Sequence, residues 1–196
     1  MYKRTSTDVV TRLTKKGVFP YQFAFTLLFP ARNIFLSPGQ LISRIELKKD
    51  SCILEVGPGP GYFSTRIARA LPEGRLVLAD IQQEMLDKAK KRIRRKGFTN
   101  VDFYLCDGEK FNLADETFDI IFLVTVIGEI ENREAYIKEF YRLLKKGGLL
   151  SISELKGDPD KMTTSEIKEL LNDSGLSYER IYGNERNFTI NFRKNQ

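Results

Sequence analysis

Three glycines at every second position, Gly57, Gly59 and Gly61, stand between the apolar run Ile53-Leu54-Glu55-Val56 and a segment of helical spacing that begins at Tyr62. A loop of this kind turns tightly and lets the backbone approach a ligand closely. The helix behind it brings free N–H groups to the same place. Dinucleotide loops also use glycine, but they need Gly or Ala three residues after the second glycine. Counted from Gly59 that position is Tyr62, and counted from Gly61 it is Ser64, so the dinucleotide pattern does not fit. Asp80 closes the next apolar run, where a carboxylate can accept hydrogen bonds from both ribose hydroxyls of an adenosine. Asp107, followed by Gly108, ends the third run and can accept from an adenine amino group, although an Asp-Gly pair also suits a plain turn.

Composition narrows the chemistry. The chain has no histidine, which excludes His-containing metal sites and serine–histidine catalysis. Cys52 and Cys106 lie inside apolar runs and read as buried core thiols of a reducing compartment. No metal site is expected. The net charge of +6 permits an anionic partner, but many proteins carry such an excess. The basic run Lys88, Lys90, Lys91, Arg92, Arg94, Arg95 and Lys96 reads first as a solvated helix face whose cations favour the helix C-terminus. The apolar stretch from Phe19 to Phe29 is about half of what crosses a bilayer and is interrupted by prolines. The chain therefore reads as cytoplasmic, with no membrane span.

The elements that must position these residues follow from periodicity. Runs 52–56, 76–80, 101–106, 118–125 and 149–154 read as buried strands, and the unbroken apolarity of the fourth makes it central. Helices are predicted over 40–45, 62–71, 82–96 and 132–144, the last closed by Lys145-Lys146-Gly147-Gly148. Thr163 and Glu166 form a capping box for a helix that runs to Asn172. Residues 178–182 and 188–192 flank Gly183-Asn184, which reads as the apex of a closing antiparallel hairpin. Strands alternating with helices give an α/β fold with a parallel sheet covered on both faces. A chain of 196 residues suits one globular unit over 48–196, preceded by an arm and aromatic segment over 1–47.

These motifs, in this order and spacing, resemble the class I S-adenosylmethionine (SAM) methyltransferases. Residues 53–61 look like their first motif and Leu78 to Leu86 like their second. Leu105-Cys106-Asp107-Gly108, Phe118 to Leu123 and Leu143 to Leu150 look like the three that follow. The likeness spans about 50 to 155 and is nearest to the small-molecule branch akin to ubiquinone/menaquinone-pathway enzymes. It implies a Rossmann-like, seven-stranded, mostly parallel sheet with helices on both faces and a C-terminal antiparallel hairpin. It also implies that Glu55 and the loop face the methionine end of SAM, Asp80 the ribose and Asp107 the adenine. The expected cofactor contacts are Glu55, Gly57, Pro58, Gly59, Gly61, Tyr62, Phe63, Asp80, Ile81, Asp107, Gly108 and Val124.

The implied activity is direct methyl transfer to a small-molecule acceptor. Many relatives carry a His-Glu pair after the fourth strand, where this chain has Gly128-Glu129. With the histidine missing, the candidates for a general base are Glu129 and Tyr21. The aromatic segment 19–35, which includes Tyr21 and Phe25, can cover the cleft, pack in the core or serve a homodimer. RNA methylation is a rival reading, since the glycine–proline loop also resembles that of rRNA adenine dimethylases. Leu123-Val124-Thr125-Val126 stands where their Pro-Pro-Tyr type motif belongs, which argues against nucleic acid. A non-catalytic SAM-binding regulator is the other rival.

Overall fold

The computed structural model describes residues 35–108 and 110–195. Its order is α1 (Pro38–Arg44), β1 (Cys52–Val56), α2 (Ser64–Ala70), β2 (Arg75–Asp80), α3 (Gln83–Arg95) and β3 (Val101–Leu105). Then follow β4 (Phe118–Val124), a 3₁₀ turn (Ile127–Glu129), α4 (Arg133–Leu143), β5 (Leu144–Glu154), α5 (Thr164–Leu170), β6 (Leu176–Asn184) and β7 (Asn187–Lys194). The seven strands form one sheet in the order β3-β2-β1-β4-β5-β7-β6. The first five pair in parallel, and β7 runs antiparallel to both β5 and β6. The fold class is the expected Rossmann-like α/β sheet with a C-terminal hairpin, and β4 is central.

The apolar alternation of the strands builds two cores. One face carries Leu54, Ile121, Leu150 and Ile152 against Ile137, Phe140 and Leu143 of α4 and Ile167 of α5. The other carries Ile53, Leu78, Phe122 and Leu149 against α1, α2 and α3, through Leu41, Ile67, Leu86, Ala89 and Ile93. Each leucine, isoleucine or phenylalanine among them, fully buried, contributes about 1.5–3 kcal/mol. Serine and threonine caps set the helix starts. Ser37 with Gln40 opens α1, and Thr163 with Glu166 opens α5, each as a reciprocal capping box.

Several boundaries differ from expectation for local reasons. Helix α2 starts at Ser64, because Gly61 is in the left-handed region (φ 78) and residues up to Phe63 remain in a turn. No turn separates α4 from β5. The chain passes at Leu144 directly into the strand, and Gly147 (φ 72) is absorbed as a register shift between Phe118 and Ile120. The hairpin apex is Glu185-Arg186, not Gly183-Asn184, since Asn184 already pairs with Asn187. Gly183 serves a close approach instead, as a Cβ there would lie 2.2 Å from the Asn187 carbonyl oxygen. Helix α5 ends at Leu170, two residues short of expectation. Cys106 is buried, but Cys52 is only half-buried.

Strand order reverses between β1 and β4, which run toward β2-β3 on one side and β5 on the other. In an open α/β sheet this reversal opens a crevice beyond the carboxyl ends of the strands, and ligands bind there. The glycine loop leaves β1 at this point.

Candidate active site

Gly57, Gly59 and Gly61 all have positive φ, at 66°, 53° and 78°, a region that L side chains with a Cβ avoid. Gly57 continues the β1–β2 ladder by donating its N–H to the Ala79 carbonyl at 2.8 Å. A Cβ on Gly57 would lie 2.5 Å from Cγ2 of Val126, so the segment after β4 leans directly on the loop. Pro58 is buried, Phe63 anchors the loop in the α2–α3 core, and Tyr62 is half-buried, edge-on to Phe63 at 4.9 Å.

Two carboxyls lie beneath and beside this loop. Glu55 is 3% exposed, and its Oε2 is buried without a hydrogen-bond partner. Burial pushes its pKa up to about 8, and the nearby Asp80 charge adds to the rise. The Ser64 hydroxyl pulls the other way, but its Oγ is itself buried without an aligned partner. Asp80, at the end of β2, accepts the Gln82 N–H at 2.9 Å. Burial raises its pKa to about 6, opposed by the backbone N–H groups of Gln82, Gly59 and Ile81. The Gly59 contact places the Asp80 carboxyl against the glycine loop. Beyond it, two apolar side chains stand open at the ends of neighbouring strands: Ile81 is 42% exposed and Leu105 is 52% exposed.

Asp107 lies one residue past Cys106 on the same edge, exposed, and accepts the Lys110 N–H at 3.0 Å. The Asp-Gly turn reading therefore holds locally, with Gly108 at φ 92. Helix α4 pins this loop from below. Arg142 donates to the carbonyls of Phe111 and Leu113, both at 2.8 Å, and Glu139 accepts the Phe111 N–H at 2.9 Å. The Arg142 guanidinium in turn holds the Glu139 carboxyl below the usual carboxylate range.

The opposite wall is the segment after β4. Val124 is nearly buried, and Thr125 follows with φ 56. A β-branched residue in the left-handed region is strained, and such strain collects at functional sites. Its N–H is held by the Ser153 carbonyl at 2.8 Å. Arg133, at the start of α4, donates to the carbonyls of Ile127 and Gly128 at 2.9 and 2.6 Å and so fixes the 3₁₀ turn. Glu129 is half-buried on that turn. At Gly128 a Cβ would meet the Asp160 carbonyl oxygen at 1.7 Å, so the loop between β5 and α5 fills the space a side chain would need. Tyr21 lies outside the described residues.

A family profile described as "Methyltransferase domain" matches residues 47–188. The chain belongs to this methyltransferase-domain family. It is 31% identical over 110 residues to the ubiquinone/menaquinone biosynthesis C-methyltransferase UbiE of Haemophilus ducreyi, covering 55% of this chain and 42% of that protein. Against the same enzyme of a Marinomonas species it is 27% identical over 128 residues, covering 64% of this chain and 51% of that protein. The chain thus spans about half the length of the curated relatives it matches. A SAM-dependent methyltransferase from Aquifex aeolicus superposes with a TM-score of 0.85 at 23% identity, over 90% of this chain and 100% of that one. The fold is shared with it.

S-adenosylmethionine is the cofactor of this methyltransferase domain, and the residues at the crevice suit it. The orphaned Glu55 Oε2 suits an α-ammonium group, the Asp80 carboxyl suits vicinal hydroxyls, and the open Ile81 and Leu105 side chains suit the faces of a purine. The expected contact residues from Glu55 to Val124 lie at or just past the carboxyl ends of β1 to β4, with Phe63 turned into the α2–α3 core and Asp107 exposed. Sequence reasoning did not find Thr125, Val126, Arg133 or Glu154. Arg133 and Val126 leave no local signature. The acid at 154 ends an alternating buried run, which is a readable signal.

Proposed function

We propose that this domain transfers a methyl group from SAM to a small-molecule acceptor by direct displacement at the carboxyl edge of the sheet. The observation that carries the reading is the pair of buried carboxyls, Glu55 and Asp80, set against a glycine loop at the point where strand order reverses. In this reading Glu55 takes the α-ammonium end, Asp80 the ribose hydroxyls, and Asp107 with Gly108 the adenine edge. Gly57, Pro58, Gly59 and Gly61 give the backbone its close approach. Tyr62, Phe63, Ile81 and Val124 supply the surrounding walls.

SAM supplies an activated methyl on a positively charged sulfur. The protein's task is to align the acceptor and exclude water. The segment 125–130 does the aligning: Val126 abuts Gly57, and Arg133 holds the turn beyond it. The similarity to UbiE, a C-methyltransferase by name, supports a small acceptor methylated at carbon rather than a nucleic acid. Glu129 stands at the acceptor side as a carboxyl for acceptor recognition.

The test is formation of S-adenosylhomocysteine with a panel of small quinol, phenol and amine acceptors. Turnover with at least one supports the reading. Tight SAM binding with no product across the panel identifies a SAM-binding regulator instead, and turnover only with RNA moves the acceptor class to nucleic acid.

A further inference from the structure

Among the described residues, one buried acid has a position that the cofactor reading does not use. Glu154 is the last residue of β5, 0% exposed, with both carboxyl oxygens buried and without hydrogen-bond partners. It shares a sheet face with Leu150 and Ile152, both core residues, so an apolar side chain would continue the pattern at no polar cost. Glu154 stands one residue beyond the Val124–Ser153 pair, level with the strained Thr125. Adjacent strands lie about 4.8 Å apart, and β4 separates β5 from β1. The end of β5 is therefore roughly 10 Å across the edge from the glycine loop, on the side opposite the ribose carboxyl. An acceptor aligned with a methyl group over β1 and β4 lies on that side.

The charges that face Glu154 are Asp158, Lys161 and Asp160 from the β5–α5 loop and Glu129 from the 3₁₀ turn. Lys161 donates to the Glu185 carbonyl and sits over the Phe188 ring, 5.3 Å from its centroid. The guanidinium of Arg133 is engaged by the turn's own carbonyls. No group of acids among the described residues has the arrangement of a metal site. The chain has no histidine, and position 128 has no room for one.

Resting on the methyl-transfer reading, we propose that Glu154 is the proton acceptor of the reaction, and that the acceptor is an enol, a phenol or an activated carbon acid. The acceptor's X–H bond breaks with its proton going to a Glu154 carboxylate oxygen. A bond forms from X to the methyl carbon, and the electron pair of the methyl–sulfur bond stays on sulfur. One negative and one positive charge disappear together, a change that a dry site favours. Burial and the surrounding acids raise the Glu154 pKa to about 9, which makes it a base matched to phenol-type acids. Because Glu154 is fully buried, the β5–α5 loop that carries Asp158 and Asp160 must move for the acceptor to reach the carboxyl.

The test uses the full chain with SAM and phenol or enol acceptors, with initial rates measured from about pH 6 to pH 10. The rate should climb about tenfold per pH unit and level near pH 9. Glu154→Gln should lower kcat by about 100-fold or more and lose this limb, with SAM affinity unchanged, and Glu154→Asp should restore part of it. Gly128→Ala, which pushes the β5–α5 loop outward, should move the limb to lower pH as the carboxyl becomes hydrated. Glu154→Gln with wild-type kcat and the same limb overturns the assignment. So does a Glu154 carboxyl, followed by ¹³C NMR and assigned from the E154Q difference, that titrates near the ordinary glutamate value. A wild-type protein that methylates no acceptor overturns the methyl-transfer reading instead, while the NMR titration still decides the state of Glu154.

Discussion

Glu55→Gln probes the cofactor side most sharply, because it separates two consequences of one buried carboxyl. In the folded protein burial raises the Glu55 pKa from 4.5 to about 8. Between those values the folded state keeps a proton that the unfolded chain has released. Stability therefore falls as pH rises through this window, by up to about 1.4 kcal/mol per pH unit for one group. Across the window the sum is about 5 kcal/mol as an upper bound. Asp80, raised to about 6, and Glu154, raised to about 9, add slopes of the same sign. The Gln variant removes only the Glu55 part. Urea denaturation of the ligand-free protein at about pH 5, 6.5 and 8 should show a shallower loss for the variant and a net gain over wild type at pH 8. The same variant should bind SAM about 10- to 150-fold more weakly by calorimetry, the loss of a charge-assisted hydrogen bond worth about 1.5–3 kcal/mol. Unchanged SAM affinity together with an unchanged pH slope would remove Glu55 from both roles.

Three further predictions follow from the same geometry. Gly57→Ala places a Cβ 2.5 Å from Val126 in a left-handed backbone, and should destabilise the fold by about 1–3 kcal/mol and weaken SAM binding, read by thermal denaturation with and without SAM. Asp80→Ala should cost about tenfold or more in SAM affinity, and full retention would remove Asp80 from ribose recognition. Gly128→His, which restores the residue that many relatives carry, should not raise turnover. It should displace the loop that holds Asp160, visible as faster amide exchange over 156–162, and unchanged exchange would contradict the close packing at Gly128.

The strand–loop–acid framework was legible because each part has a local cause. Ile53 to Gly61 shows an apolar run stopped by glycines, and the acids at 80 and 107 end two later runs. The capping box of Thr163 and Glu166 was readable for the same reason, since its partners lie three residues apart. The misreadings are long-range. Gly183 looked like a hairpin apex, but its role is to admit the Asn187 carbonyl from the neighbouring strand. Lys145 to Gly148 looked like a stop, but pairing with β4 draws Leu144 straight into the sheet. Gly128 read as a missing base, and only the fold shows that the Asp160 backbone occupies the space. Arg133 carries no sequence mark of its duty, because the carbonyls that it holds become its neighbours only after the 3₁₀ turn forms.

The glycine loop with Glu55 and Asp80 is proposed to be a SAM site and not a dinucleotide site. Isothermal titration of the protein with SAM, S-adenosylhomocysteine and NAD tests it directly. SAM and S-adenosylhomocysteine should bind saturably, and NAD should not bind. Binding of NAD without binding of SAM would contradict this assignment.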